Sequence, residues 1–333
     1  MISSPIIKES DSVSFVMSHV FFALIPSLLI YIYFFGYGIL GNLIFGVTLG
    51  VLFEYLCLKL RNISAKPFLL DGSTIVTCWL LIISIPSGSP WWIILIGVFS
   101  AIVIAKHIYG GLGSNIFNPA MIGYAILLIS FPAMMTNWEV SNSLGLNNFL
   151  NLKNLFNLFH VQLISNIDAV SSATPLDNIK TYLFLNADNL NPNNFPNYEI
   201  FNPRSIINIS YFAGGLYLLH KKIISWHLPI TLIITVILFS SFMSLIDANK
   251  FMGPIHHLLN GAVILGAFFI LTDPVTSPTT KRGKIIFAIL IGIITLTIRN
   301  FGGYPDGIAF AVIFMNIWVP LIEKFTQPKV FGY

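Results

Sequence analysis

The chain has 333 residues and a formal net charge of +4; 56% of its residues are hydrophobic and only 9% are Asp, Glu, Lys or Arg. Soluble domains carry about 25% charged residues, so this balance excludes a protein with water on all sides. The small positive charge is no nucleic-acid signal; its meaning lies in where the positive residues sit.

The N-terminal stretch from Met1 to Ser18 is polar, with Lys8, Glu9 and Asp11. No small-residue cleavage site precedes the first apolar run, so no removable signal peptide is expected. Ten apolar segments follow, at about 14–35, 38–58, 69–85, 91–108, 117–136, 205–220, 226–246, 255–271, 285–300 and 305–322. They are long enough to cross a hydrocarbon core about 30 Å thick, which predicts an all-α integral membrane protein of about ten transmembrane helices. Cys57 and Cys78 both lie in apolar runs and read as small buried hydrophobes. Between the fifth and sixth segments, 137–204 is polar, rich in Asn, and forms the large extramembrane piece. The chain divides into a two-helix region (1–68), a first repeat (69–136), the polar loop (137–204), a two-helix linker region (205–254) and a second repeat (255–333).

Charge orients these segments. With a cytoplasmic N-terminus, the inner side receives Lys8, Lys59, Arg61, Lys66, Lys106, Lys221, Lys222, Lys281, Arg282, Lys284, Lys324 and Lys329, twelve of the seventeen Lys and Arg residues. The outer side receives Lys153, Lys180, Arg204, Lys250 and Arg299. The positive-inside rule then sets both termini in the cytoplasm and 137–204 outside, in the periplasm of a Gram-negative cell.

The chain also repeats itself. "LDGSTIVTCWLLIISIP" from Leu70 parallels "LNGAVILGAFFILTDP" from Leu259, and "YGGLGSNIFNPAMIGYAIL" parallels "FGGYPDGIAFAVIFMN", at an offset of about 190 residues. Five segments separate the copies, so they cross in opposite directions: an inverted repeat, which places sites between its two halves. Gly and Pro clusters near 86–90, 110–119, 272–278 and 302–307 predict broken helices, or else ordinary turns at helix ends.

Three strings could carry chemistry. The first, Asp168-Ala169-Val170-Ser171-Ser172-Ala173-Thr174-Pro175-Leu176, reads on its own as a helix start, with Thr174 as N-cap, Pro175 as first helical residue and Asp177 completing a capping box. A helix start is also a seat for phosphate. The second, Tyr109-Gly110-Gly111-Leu112-Gly113-Ser114-Asn115-Ile116-Phe117-Asn118-Pro119-Ala120, has neither the spacing nor the strand context of a dinucleotide fingerprint. A water channel would need a second Asn-Pro-Ala, but the repeat partner is Phe310-Ala311-Val312. What remains is a Gly-rich break that brings the amides of Asn115 and Asn118 to one face at i and i+3. The third, Thr272-Asp273-Pro274-Val275-Thr276-Ser277-Pro278, sets Asp273 at a membrane helix end. There it is either solvated beside Lys281 and Arg282 or an intramembrane functional group. Asp71 and Asp306 sit at helix starts, as caps first and ion-path residues second. The seven histidines show no metal spacing, so neither haem nor metal is assigned.

These strings, in this order, on ten segments with a long outer loop, resemble the D subunits of Rnf electron-transport complexes and their sisters, the B subunits of the sodium-pumping NADH:quinone reductase. The first string is similar to the motif Asp-x-x-Ser-Gly-Ala-Thr, modified by an FMN transferase; Asp168, Ser171, Ala173 and Thr174 match, and Ser172 replaces the usual glycine. The resemblance implies FMN joined to Thr174 through a phosphoester. It implies a second, non-covalent flavin, such as riboflavin, near Asn115, Asn118 and Asp273. It also implies electron relay between ferredoxin and NAD coupled to cation movement, with the A, B, C, E and G subunits as partners and the flavin-bearing G subunit as electron donor. The first helix begins near residue 14 without the longer extension of the B subunits, which favours D. Other readings are the quinone-reductase B subunit, a flavin-free channel or transporter on the same repeat, and a structural scaffold.

Overall fold

The computed structural model describes residues 12–139, 171–172, 174, 176, 202–247, 250–304 and 306–328, with backbone alone at 139, 171 and 172. All ten expected segments are helical. In chain order the α-helices are α1 (Val13–Phe35), α2 (Gly38–Leu60), α3 (Ala65–Leu69), α4 (Ser73–Ile83), α5 (Trp91–Phe99), α6 (Pro119–Ser130) and α7 (Pro132–Met135). After the polar loop come α8 (Pro203–His220), α9 (His227–Ile246), α10 (Pro254–Leu259), α11 (Val263–Leu265), α12 (Lys281–Phe301) and α13 (Ile308–Thr326). Wider π turns continue α5 over Ser100–His107 and α11 over Gly266–Ile270. Among the described residues, the departure from an all-helical chain is one two-residue antiparallel ladder, β1 (Trp138–Glu139) with β2 (Ser171–Ser172). The protein is a multi-pass membrane protein: five of these helices, α1, α2, α9, α12 and α13, are long and apolar enough to cross a membrane unbroken.

Of the remaining crossings, α8 runs unbroken over 18 residues and α5 continues through its π turns to His107, whereas the crossings at α4 and at α10–α11 are broken. α4 has 11 residues, about 16 Å at 1.5 Å per residue, roughly half a hydrocarbon core. Helix α3 stops before Asp71-Gly72, where Gly72 takes φ +78° and the Asp71 carboxylate accepts from Ser73 N–H at 2.7 Å. In the second copy, α10 stops at Asn260 and Gly261 takes φ +87°. Both turns need the left-handed conformation that glycine adopts without strain, so matching positions of the two copies break in the same way. At the Gly and Pro clusters the backbone is non-helical at 86–90, 108–118, 271–280, 302–304 and 306–307, between consecutive helices, which fits broken helices and turns at helix ends alike. Backbone freed by a break must be satisfied within the protein. At the second break the Asn208 amide does so, donating to the carbonyls of Leu259 at 2.8 Å and Gly261 at 3.0 Å.

Packing joins the halves. α1 lies along α8, α2 along α4, α9 along α12, and α13 against both α12 and α6. Leu24, Ile102, Phe268 and Phe287 are fully buried, while Ile44, Leu238, Phe242 and Leu245 point outwards. That apolar surface is the one a chain solvated by lipid presents.

Candidate functional site

Helix α7 delivers the chain to Trp138, which pairs with Ser172 in the ladder. That pairing brings Thr174, two residues on, to a cavity of about 170 Å³ between the two halves. Tyr31 and Phe35 of α1, Tyr124 of α6 and Trp138 contribute aromatic rings to its lining; Arg204, Asn208 and Asp306 contribute polar groups. Thr174 is partly exposed, and Leu176 is buried beside Gly261. The expected helix start at Thr174 and its capping box fall largely outside the described residues. Asp168, Ala173, Pro175 and Asp177 lie outside the described residues, as does most of the outer loop.

The same cavity is also lined by Met121 and Ile270. The Ile270 carbonyl accepts from Asn118 Nδ2 at 3.4 Å and from Asp273 N–H at 3.3 Å. The fold therefore brings Asn118 and Asp273 together across the repeat, at a carbonyl whose own side chain lines the Thr174 cavity. Asn118 caps α6, accepting from Met121 N–H at 3.3 Å. Asn316 of α13 locks the junction: oriented by its partners, its amide accepts from Asn118 N–H at 3.0 Å and donates to Thr276 O at 3.3 Å. The Asp273 carboxylate accepts from Thr276 Oγ1 at 2.9 Å and Val275 N–H at 3.2 Å. Asn115 departs from the expected i, i+3 helical face. It lies in the irregular loop, where its amide accepts from Gly113 N–H at 3.3 Å and donates to Phe117 O at 3.1 Å. The backbone at 110–115 turns through three glycines of positive φ, so helical spacing does not apply there.

Two ion pairs flank these positions. Asp306 caps α13 as expected, accepting from Ile308 N–H at 3.2 Å. It also accepts from Ala262 N–H at 2.7 Å and from Arg299 Nη2 at 3.0 Å. Arg299 Nη1 in turn donates to His257 O at 2.7 Å. The second pair corrects an expectation from sequence. Lys106, counted there among the inner-loop cations, is buried in the π segment, where it donates to Glu54 Oε1 at 2.6 Å and to Ser73 and Thr74 hydroxyls at 2.9 Å each. His107 Nε2 lies 3.6 Å from the same carboxylate oxygen. Glu54 was not among the residues singled out from sequence. Its signal was there: a lone acid inside the second apolar run, which in a membrane chain needs a partner.

Similarity to known proteins spans the whole chain. Residues 1–332 match the model of the NQR2, RnfD, RnfE family. The chain is 42% identical to the D subunit of the ion-translocating oxidoreductase complex from Actinobacillus succinogenes, over 99% of this chain and 97% of that one. It is 42% identical to the protein of the same name from Cronobacter sakazakii, over 99% and 98%, and 41% identical to that from Escherichia coli strain SE11, over 99% and 97%.

Proposed function

The chain belongs to the NQR2, RnfD, RnfE family and is a membrane subunit of an ion-translocating oxidoreductase complex; from that premise we propose that it relays electrons through FMN joined by a phosphoester to Thr174. It does so at the outer face of the bacterial inner membrane, in transport between ferredoxin and NAD coupled to cation translocation. Its partners are the A, B, C, E and G subunits, and an FMN transferase loads it. The observation that carries the reading is the cavity that has Thr174 on its lining and the Asn118–Asp273 junction behind Ile270. The residues suit the group. A partly exposed hydroxyl can accept the phosphate, aromatic rings match a flat ring system, and a guanidinium matches a phosphate charge. Bound there, the flavin supplies the redox chemistry. The chain supplies position: Thr174 fixes one end, and the apolar lining keeps water away from the ring.

A second flavin, riboflavin or another held without a covalent bond, belongs at Asn115, Asn118 and Asp273. Asn118 begins α6, whose Met121, Tyr124 and Leu128 line the cavity that also holds Thr174. The positive-inside asymmetry supports cytoplasmic termini and a periplasmic outer loop: with Lys106 and Arg299 buried, eleven cations remain inside and four outside.

Flavin extraction tests this arrangement. Denaturing the purified wild-type complex should release this chain's non-covalent flavin and leave one flavin on the chain. Asp273→Asn should lower the released fraction, because a hydrogen bond to a charged group contributes about 1.5–3 kcal/mol, roughly a ten- to hundredfold change in affinity. The retained flavin should stay. Equal release from both proteins would remove Asp273 from the second site.

A further inference from the structure

We propose that Arg204 is the counter-ion of the phosphate that joins FMN to Thr174, held for that task against the rings of Trp138 and Phe35. The inference rests on the Thr174 reading above. A phosphodiester keeps one negative charge, and in a cavity walled by apolar groups that charge needs a partner. Two charged residues line the cavity among those described, Arg204 and Asp306. Asp306 is engaged by Arg299 at 3.0 Å, and Arg204 is the cation on the cavity lining among the described residues.

Its position suits the role. Arg204 is the second residue of α8, an 18-residue helix whose N-cap, Asn202, accepts from Ser205 N–H at 2.9 Å. The positive end of the helix dipole adds to the guanidinium charge there. The guanidinium carbon lies 5.2 Å from the Trp138 ring centroid and 5.9 Å from that of Phe35. Two rings within about 6 Å attract the cation and help hold it in place, and the planar fork of a guanidinium matches a phosphate in bidentate fashion. Trp138 is paired with Ser172, two residues before Thr174. One short ladder therefore sets both the ring that steadies Arg204 and the hydroxyl that carries the phosphate.

The test is a cycle of melting temperatures on the purified complex, made with the FMN transferase co-expressed. Wild type, Arg204→Gln and Arg204→Lys are each compared with the same protein carrying Thr174→Ala, which cannot be loaded. In wild type the attached FMN should raise the melting temperature. That increment should vanish in Arg204→Gln and survive in part in Arg204→Lys. Trp138→Leu, which keeps the charge but loosens it, should shrink the increment too, and it serves if Arg204→Gln does not accumulate. A structural role alone would lower loaded and unloaded forms equally, and an increment unchanged in Arg204→Gln or in Trp138→Leu overturns the proposal. Absence of any adduct on wild type would instead overturn the reading of Thr174 itself, and this one with it.

Discussion

Lys106→Met is expected to destabilise the chain by about 3–5 kcal/mol, the usual cost of removing one partner of a buried ion pair. Lys106 and Glu54 are each 1% exposed at their side chains and 2.6 Å apart. The lysine's three donors meet Glu54, Ser73 and Thr74, so the ammonium ties α2 and the start of α4 to the π segment. Without it the buried Glu54 carboxylate loses its cation and keeps His107 Nε2 at 3.6 Å. Thermal denaturation in detergent should show a fall on the order of 10 °C, with less folded protein in the membrane. Glu54→Gln combined with Lys106→Met removes both charges and should recover most of the loss, since the cost lies in the unpaired charge. A single variant as stable as wild type would show that the pair contributes nothing.

Asp306→Ala should be comparably damaging, for a different reason. One carboxylate serves three elements: it receives Ala262 N–H at the second helix break, Ile308 N–H at the start of α13, and the Arg299 guanidinium. Its loss strands Arg299, whose side chain is 1% exposed, and frees the backbone at the break, at a combined cost of about 3–5 kcal/mol. Asp306→Glu should not restore stability. A β-carbon at Gly261 would already lie 2.6 Å from Asp306 Oδ2 and 2.5 Å from Arg299 Nη2, so the turn has no room for a longer side chain. Melting curves and protease sensitivity of the two variants check this; full stability in Asp306→Glu would refute the tight-turn argument. Because Asp306 also lines the cavity beside Thr174, the loss should reach the site as well as the fold.

The helices were readable from sequence because a membrane demands long apolar runs, and each of the ten runs is a helix or a broken helix. The interior of the breaks was less readable. Asp71 reads from sequence as a cap at a helix start and does accept from Ser73 N–H, but Gly261 follows Asn260 inside an apolar run, and a run of hydropathy does not register a single left-handed residue. The ladder was invisible because two residues are too few to show alternation. Lys106 was misplaced for a related reason: at the end of an apolar run a lysine reads as an interface anchor, and only tertiary structure reveals Glu54 opposite. Asn118 and Asp273 could be named from their strings, but their shared contact at Ile270 spans 152 residues from Asn118 and depends on how the repeats interlock. Arg204 carried no sequence signal beyond its charge; its place depends on Trp138 and Phe35.

The central claim is that Thr174 carries FMN. Its most direct test is the intact mass and in-gel flavin fluorescence of the denatured chain, for wild type and Thr174→Ala, each co-expressed with the FMN transferase. The account predicts a fluorescent wild-type band heavier by FMN less one water, and an unmodified, dark mutant. An unmodified wild-type chain, or an adduct that persists in Thr174→Ala, would contradict it.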